Sequence, residues 1–184
     1  MSDPAQSQSP DAAVLCTTCG LCCTGYFYTY VNLETKDVEN IQTVVKRVLI
    51  SGKDNQILRL PCQFWINQCT IYDHRPVICS KYQCKLLKAV EAESFSLKNA
   101  LTVIEQAKAM IAEIDSLLPA LPDTGFRQQL VGYVKALEDK VENSTQDTIL
   151  RLKAGVLMIF FAKHFGIKRL FDGPGIMKPG DESS

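Results

Sequence analysis

The chain has no excess of charge of either sign and no apolar run long enough to cross a bilayer. Lysine plus arginine and aspartate plus glutamate both number 20, so no surface field is expected to attract nucleic acid or an anionic membrane. The longest apolar run, Gly155 to Phe161 with a weak extension to Ile167, contains Lys163 and His164 and is shorter than the roughly 20 residues of a membrane span. We expect neither nucleic acid nor a membrane as a partner.

The start of the chain lacks the basic and apolar regions of a secretory signal. The missing signal predicts a cytoplasmic protein. Residues 1–13 are rich in Ser, Pro, Gln and Asp without periodicity, which predicts a disordered leader. The sequence also lacks a Ser/His/Asp set, a glycine-rich phosphate loop and an isolated carboxylate pair. It therefore predicts no catalytic residue and leaves open whether the protein is an enzyme.

Cysteine is absent from the last hundred residues and abundant before them. The eight cysteines are Cys16, Cys19, Cys22, Cys23, Cys62, Cys69, Cys79 and Cys84. The first four form the pattern C-x2-C-x2-C-C, and Gly20 in their midst predicts a loop or one irregular turn.

Three explanations compete for this crowding. Disulfides require an oxidising compartment, which the lack of an export signal argues against. Buried free thiols behave as small apolar side chains and would be scattered along core stripes. Metal ligation explains both the crowding and the residue type, because thiolates repel one another unless a cation lies among them.

Thiolate-rich sites favour zinc, copper or iron–sulfur clusters over magnesium and calcium. Copper is less favoured, because no Met-rich or His-rich tract adjoins the thiols. Four thiolates can hold either zinc or a cluster such as [4Fe-4S], so their number does not choose between zinc and iron. Because neighbouring side chains leave the backbone in different directions, Cys22 and Cys23 are predicted to serve different centres. Two filled four-ligand sites, or one filled and one open, both remain compatible with the sequence.

The remaining pattern predicts a mainly α fold with one or two short strands. The strand candidates are Tyr26–Val31 and Ile57–Leu60, and apolar spacing from Thr35 predicts a helix that stops before Gly52. Beyond Glu93, three helical stripes follow, with a break at Pro119–Pro122.

The third stripe, from about Thr148 to Phe165, is apolar nearly all round and is therefore predicted to be the most buried. We expect a cysteine-rich metal-binding module (residues 14–92) packed on a C-terminal helical bundle (93–172), followed by a polar tail (173–184). The C-terminal helices could also bind a protein partner.

Two motifs in order resemble a known family. Cys16-x2-Cys19-x2-Cys22-Cys23 is followed by Cys69-Thr70-Ile71-Tyr72-Asp73-x-Arg75-Pro76-x2-Cys79, and this resembles the YkgJ-like CxxCxxCC cysteine-cluster family of zinc- or iron-chelating domains. The resemblance implies a bacterial cytoplasmic metal-binding domain, with all eight cysteines as ligands and no assigned biochemical role. A relative, flagellin lysine methylase, suggests an alternative: an iron–sulfur protein methyltransferase that uses S-adenosylmethionine. Asp73, Ser80 and Ile66-Asn67-Gln68 depart from the family pattern, which weakens transfer of a specific activity.

Other residues near the cysteines have two readings each. Arg75, helped by Lys81 and Lys85, could neutralise a thiolate centre, or Arg75 could pair with Asp73. Tyr72 could donate a hydrogen bond to a ligand sulfur or serve as a core aromatic. Phe64 and Trp65 are expected to shield the site from water, with stacking on a substrate as the alternative. His74 could replace a thiolate as ligand, but the eight cysteines make this unnecessary, and His164 is expected to be a packed or surface histidine.

Overall fold

The computed structural model describes residues 9–44, 50–51, 56–119, 124–138, 142–168 and 176–177. These residues form seven α-helices and four short strands, so the prediction of a mainly helical fold is confirmed. The helices are α1 (Pro10–Cys19), α2 (Thr35–Val44), α3 (Val77–Lys81), α4 (Lys85–Glu91), α5 (Leu97–Asp115), α6 (Phe126–Glu138) and α7 (Thr145–Phe165). The strands are β1 (Tyr30–Asn32), β2 (Ile50–Ser51), β3 (Ile57–Arg59) and β4 (Ile176–Met177).

Helix α1 replaces the loop predicted at the first cysteines, and it includes residues 10–13 of the predicted leader. The Ser9 side chain accepts a hydrogen bond from the Ala12 N–H at 3.3 Å, and Pro10 occupies the first turn. Gly20 ends the helix in the left-handed conformation at φ 69°. Capping at both ends therefore outweighs the poor helix propensity of the threonines and cysteines between them.

The strands form one sheet in the order β2-β3-β1-β4. β1 is antiparallel to β3, with Val31 opposite Leu58, and parallel to β4, with Val31 opposite Met177. β1 and β3 fall within or beside the two predicted strands, although β1 begins only at Tyr30. β2 and β4 have two residues each, too few to leave a pattern in the sequence, and β4 lies within the predicted polar tail.

Helix α7 is buried on one face only and is not the most buried of the three C-terminal helices, which corrects the prediction made from its composition. A capping box of Ser144 and Asp147 starts it at Thr145, three residues before the predicted start. One face packs on α4, α5 and α6. The opposite face exposes four large side chains: Ile149 at 41%, Leu152 at 66%, Val156 at 57% and Ile159 at 66%.

The cysteine segment and the C-terminal helices share one hydrophobic core. Helix α1 packs on both α4 and α5. The Phe27 ring, just before β1, lies 4.8 Å from the Phe161 ring and 5.1 Å from the Phe165 ring, both on α7. These contacts fix the cysteines relative to the helices behind them.

Several predicted features lie outside the described residues: the leader before residue 9, the continuation of α2 toward Gly52, most of the break at 120–123, and nearly all of the tail. No helix in the described part of the chain combines the length and apolar composition needed to cross a membrane.

Candidate metal centre

All eight cysteines line a single cavity of about 100 Å³. None of them is in a disulfide, and each is partly exposed. The remaining wall is largely apolar and draws on both halves of the chain, as it includes Leu15, Phe27, Ile104, Phe165 and Met177. The cavity therefore gathers thiols that are spread over 69 positions of sequence.

One side of the cavity is built by α1 and α4. Cys16 and Cys19 are one helical turn apart on α1, and Gly20 then turns the chain so that Cys22 follows closely. Cys84 is the N-cap of α4, which packs on α1. Its sulfur accepts a hydrogen bond from the Leu87 N–H at 3.4 Å.

The other side is built by the chain from residue 62 to α3. The Cys62 N–H donates to the Cys23 carbonyl at 2.6 Å, which places these two residues side by side. The chain then folds back so that Trp65 and Cys69 pair through their backbones. Cys79 lies in α3, whose first N–H, that of Val77, donates to the buried carboxylate of Asp37 at 2.7 Å.

Burial and mutual repulsion make the thiols hard to ionise without a cation. Burial raises the pKa of Cys22 well above its ordinary value, and the nearby Cys84 and Cys19 thiols add to the effect. Burial raises the pKa of Cys79 to about 12, with further contributions from Cys62 and Cys69. In the metal-free protein these groups are neutral near pH 7, and ionisation requires a positive charge in the cavity.

Backbone N–H groups face four of the sulfurs. Each of these cysteines has the N–H of the residue two positions later as a donor to its sulfur: Leu21 for Cys19, Phe64 for Cys62, Ile71 for Cys69 and Leu86 for Cys84. Such donors lower the thiol pKa because they stabilise the thiolate. The backbone is thus arranged for sulfur in its metal-binding form.

Two cations lie near the thiols, and the sequence predicts only one of them. The Arg75 guanidinium lies over the Tyr72 ring, 3.9 Å from its centroid, and its charge lowers the pKa of Cys16, Cys69 and Cys79 against the larger effect of burial.

On the other side, Lys108 of α5 donates to the Thr18 carbonyl at 3.3 Å and lowers the pKa of Cys19. Nothing in the local sequence around Lys108 indicates this role. Lys81 and Lys85, which the sequence suggested as helpers, are exposed and do not line the cavity.

Tyr82 presents a hydroxyl that makes no hydrogen bond within the described residues. The residue ends α3, lines the cavity, and lies close enough to Cys22 and Cys84 to interact electrostatically with both. The Tyr28 ring meets it edge to face at 5.6 Å, and the Tyr28 hydroxyl lies nearby without forming a hydrogen bond of normal geometry. The sequence suggested Tyr72 for contact with sulfur and did not indicate Tyr82.

Trp65 covers Gly20 at the edge of the cavity. A Cβ on Gly20 would overlap the carbon atoms of the Trp65 indole, so only glycine allows the ring to rest there. Phe64 is buried beside it without lining the cavity. His74 is exposed, and His164 stacks on Phe160 at 4.5 Å; neither lines the cavity.

The residues present fit zinc or iron by chemistry and by enclosure. Eight soft donors surround one cavity, four of them with N–H groups directed at sulfur, and an unpartnered hydroxyl lies among them. As the side chains lie, however, no three His, Cys, Asp or Glu residues in the described part of the chain are grouped as ligands of one ion. The thiols line the cavity wall instead of meeting at a point.

Comparison with known families gives a match to the cysteine segment. Residues 15–103 match the family model CxxCxxCC, whose description is "Putative zinc- or iron-chelating domain". The match confirms the resemblance expected from the two motifs, and it extends beyond residue 92 into α5. No curated protein and no solved structure matches the chain.

Proposed function

Since residues 15–103 belong to the CxxCxxCC family, we propose that the protein binds zinc or iron through its eight cysteine thiolates. The observation that carries the proposal is that all eight thiols line one cavity. The metal would supply the positive charge that lets the buried thiols ionise.

The eight thiols divide into two groups of four, each joined by local structure. The α1 group consists of Cys16, Cys19, Cys22 and Cys84, on α1, the turn after it and the start of α4. The α3 group consists of Cys23, Cys62, Cys69 and Cys79, on the segment tied to Cys23 and on α3.

Electrostatic neighbours support this division. Cys22 interacts most with Cys84 and Cys19, whereas Cys23 interacts most with Cys62, Cys79 and Cys69. Cys16 interacts with members of both groups, and we place it in the α1 group because it shares a helix with Cys19.

Of the two metals, the arrangement favours iron in clusters. A single zinc ion needs its four sulfurs about 2.3 Å away and hence close together, whereas the thiols line a shared cavity without forming such a set. A cluster of several atoms is the better match for thiols held apart. No contact within the described residues favours the methyltransferase alternative.

Anaerobic purification followed by analysis of zinc, iron and acid-labile sulfide tests the function. We expect bound metal with sulfide, and a brown protein. Colourless protein with stoichiometric zinc would retain metal binding and contradict the cluster. Folded protein with eight reactive thiols and no zinc or iron would contradict the function itself.

Substitution of the adjacent cysteines tests the two groups. Cys22→Ser and Cys23→Ser should each remove about half of the bound metal, since each removes a ligand from one four-thiolate group. Adding Cys19→Ser to Cys22→Ser should cause little further loss, whereas adding Cys62→Ser should remove nearly all of it. Complete loss from either single variant would indicate one shared centre.

A further inference from the structure

An unpartnered hydroxyl in the interior of a protein requires an explanation, and the hydroxyl of Tyr82 is such a group. Buried polar groups almost always have a hydrogen-bond partner, and one without a partner costs stability. Tyr82 differs in this from Tyr133, which donates to Asp147 at 2.8 Å. The Tyr28 hydroxyl lies nearby but forms no hydrogen bond of normal geometry with Tyr82, so the cavity that Tyr82 lines is where a better acceptor would lie.

The position of the hydroxyl identifies the kind of partner. Tyr82 follows α3 and lies two residues before Cys84, which places it beside the α1 group. Among the thiols, Cys22 and Cys84 are the two with which it interacts. A neutral thiol is a weak acceptor, whereas a sulfur bound to metal carries negative charge and accepts readily.

We infer that Tyr82 is a positioning residue that donates a hydrogen bond to sulfur in the metal-loaded α1 group. The inference rests on the proposed function and adds to it a residue that is not a ligand. Donors of this kind orient ligands and tune the metal, and their loss typically lowers metal affinity by 10- to 100-fold. Arg75 interacts with Cys69 and Cys79 of the α3 group and with Cys16 of the α1 group, whereas the Tyr82 hydroxyl lies near Cys22 and Cys84.

The test compares Tyr82→Phe with Tyr72→Phe in the full chain. Both substitutions remove one phenol hydroxyl at the cavity, but the Tyr72 ring lies under Arg75. We expect Tyr82→Phe to take up as much metal as the wild type and to release it to a chelator at least about 10-fold faster. Tyr72→Phe should release metal at the wild-type rate.

Two further readouts separate hydrogen bonding to sulfur from a structural role. In the brown, iron-loaded protein, loss of the donor should shift the sulfur-to-iron charge-transfer absorption to lower energy, because the sulfur electrons are held less tightly. In metal-free protein, Tyr82→Phe should unfold at the same or a higher temperature than the wild type, since it removes an unpartnered polar group.

If Tyr82→Phe released metal to the chelator at the wild-type rate and its charge-transfer absorption did not shift, the inference would be overturned. The proposed metal binding would remain intact. Equal destabilisation of the metal-free and metal-loaded forms would indicate a structural role and would also overturn it. Absence of metal from the wild type would instead contradict the proposed function, on which the inference depends.

Discussion

At the scale of single residues, the sequence predicted that the cysteine side chains gather, but not which other residues lie around them. All eight cysteines line the cavity, because crowded thiols in a pattern of close pairs constrain the chemistry without reference to the fold. Tyr82 and Lys108 could not be recognised in this way. Lys108 lies 89 residues from Cys19 in the sequence and reaches its neighbour Thr18 only because α5 packs on α1.

Gly20 illustrates a residue whose role was predicted only in part. The sequence indicated that it permits a turn, and its φ of 69° agrees. Its second role, leaving room for the Trp65 ring, depends on a contact 45 positions along the chain that no local pattern indicates.

Gly20→Ala is therefore expected to destabilise the protein by more than about 1 kcal/mol, since it combines strain at positive φ with a steric conflict. The ring of Trp65, the only tryptophan of the chain, should move toward solvent and its fluorescence should shift to longer wavelength. Thermal unfolding and emission spectra measure the two effects.

Gly155→Ala is the matched control. Gly155 lies within α7, and nothing is within 4 Å of where its Cβ would be. We expect this variant to gain roughly 0.5–1 kcal/mol, the difference in helix propensity, with unchanged emission. Equal behaviour of the two variants would refute the role given to Gly20.

At the scale of elements, composition and packing lead to different conclusions for α7. Apolar residues almost all round the helix predicted that it would be the most buried, but the fold supplies helices on one side only. Leu157 is fully buried, and Leu152, five positions earlier, is 66% exposed. Local sequence could not distinguish these two leucines, because the number of neighbouring helices is a property of the whole chain.

The two leucines provide a direct test of this orientation. Leu157→Ala should cost about 2–5 kcal/mol, because it removes a core side chain and leaves a cavity. Leu152→Ala should change stability by less than about 0.5 kcal/mol, as is usual for an exposed position. Denaturant unfolding of both variants at low protein concentration measures the difference, and similar losses would mean that α7 is rotated from its described position.

At the scale of the whole molecule, the predicted module and bundle proved to be parts of one hydrophobic core. The composition of the sequence does change near residue 93, where a cysteine-rich segment with short elements is followed by long helices. It did not reveal that α1 packs on α5, or that β4 pairs with β1. Pairing between the ends of a chain depends on the path of everything between them.

Because the core is shared, unfolding is expected to be a single cooperative transition. Trp65 fluorescence reports on the cysteine segment, whereas far-ultraviolet circular dichroism reports mainly on the long C-terminal helices. The two signals should give the same midpoint in metal-loaded protein.

Removal of the metal by a chelator should lower that midpoint for both signals together, since metal binding stabilises only the folded state. If the chelator lowered the midpoint of the fluorescence transition and left that of the circular dichroism transition unchanged, the cysteine segment would unfold separately.

The cavity wall has one further consequence. Ile104, Phe165 and Met177 all line it, and all three lie beyond residue 103, where the family match ends. A fragment limited to residues 15–103 would keep every thiol yet lose the aromatic and methionine side chains that close the space behind them. Oxygen and water would then reach the sulfurs from a direction that the full chain blocks, so the same ligands would hold their metal for a shorter time in air.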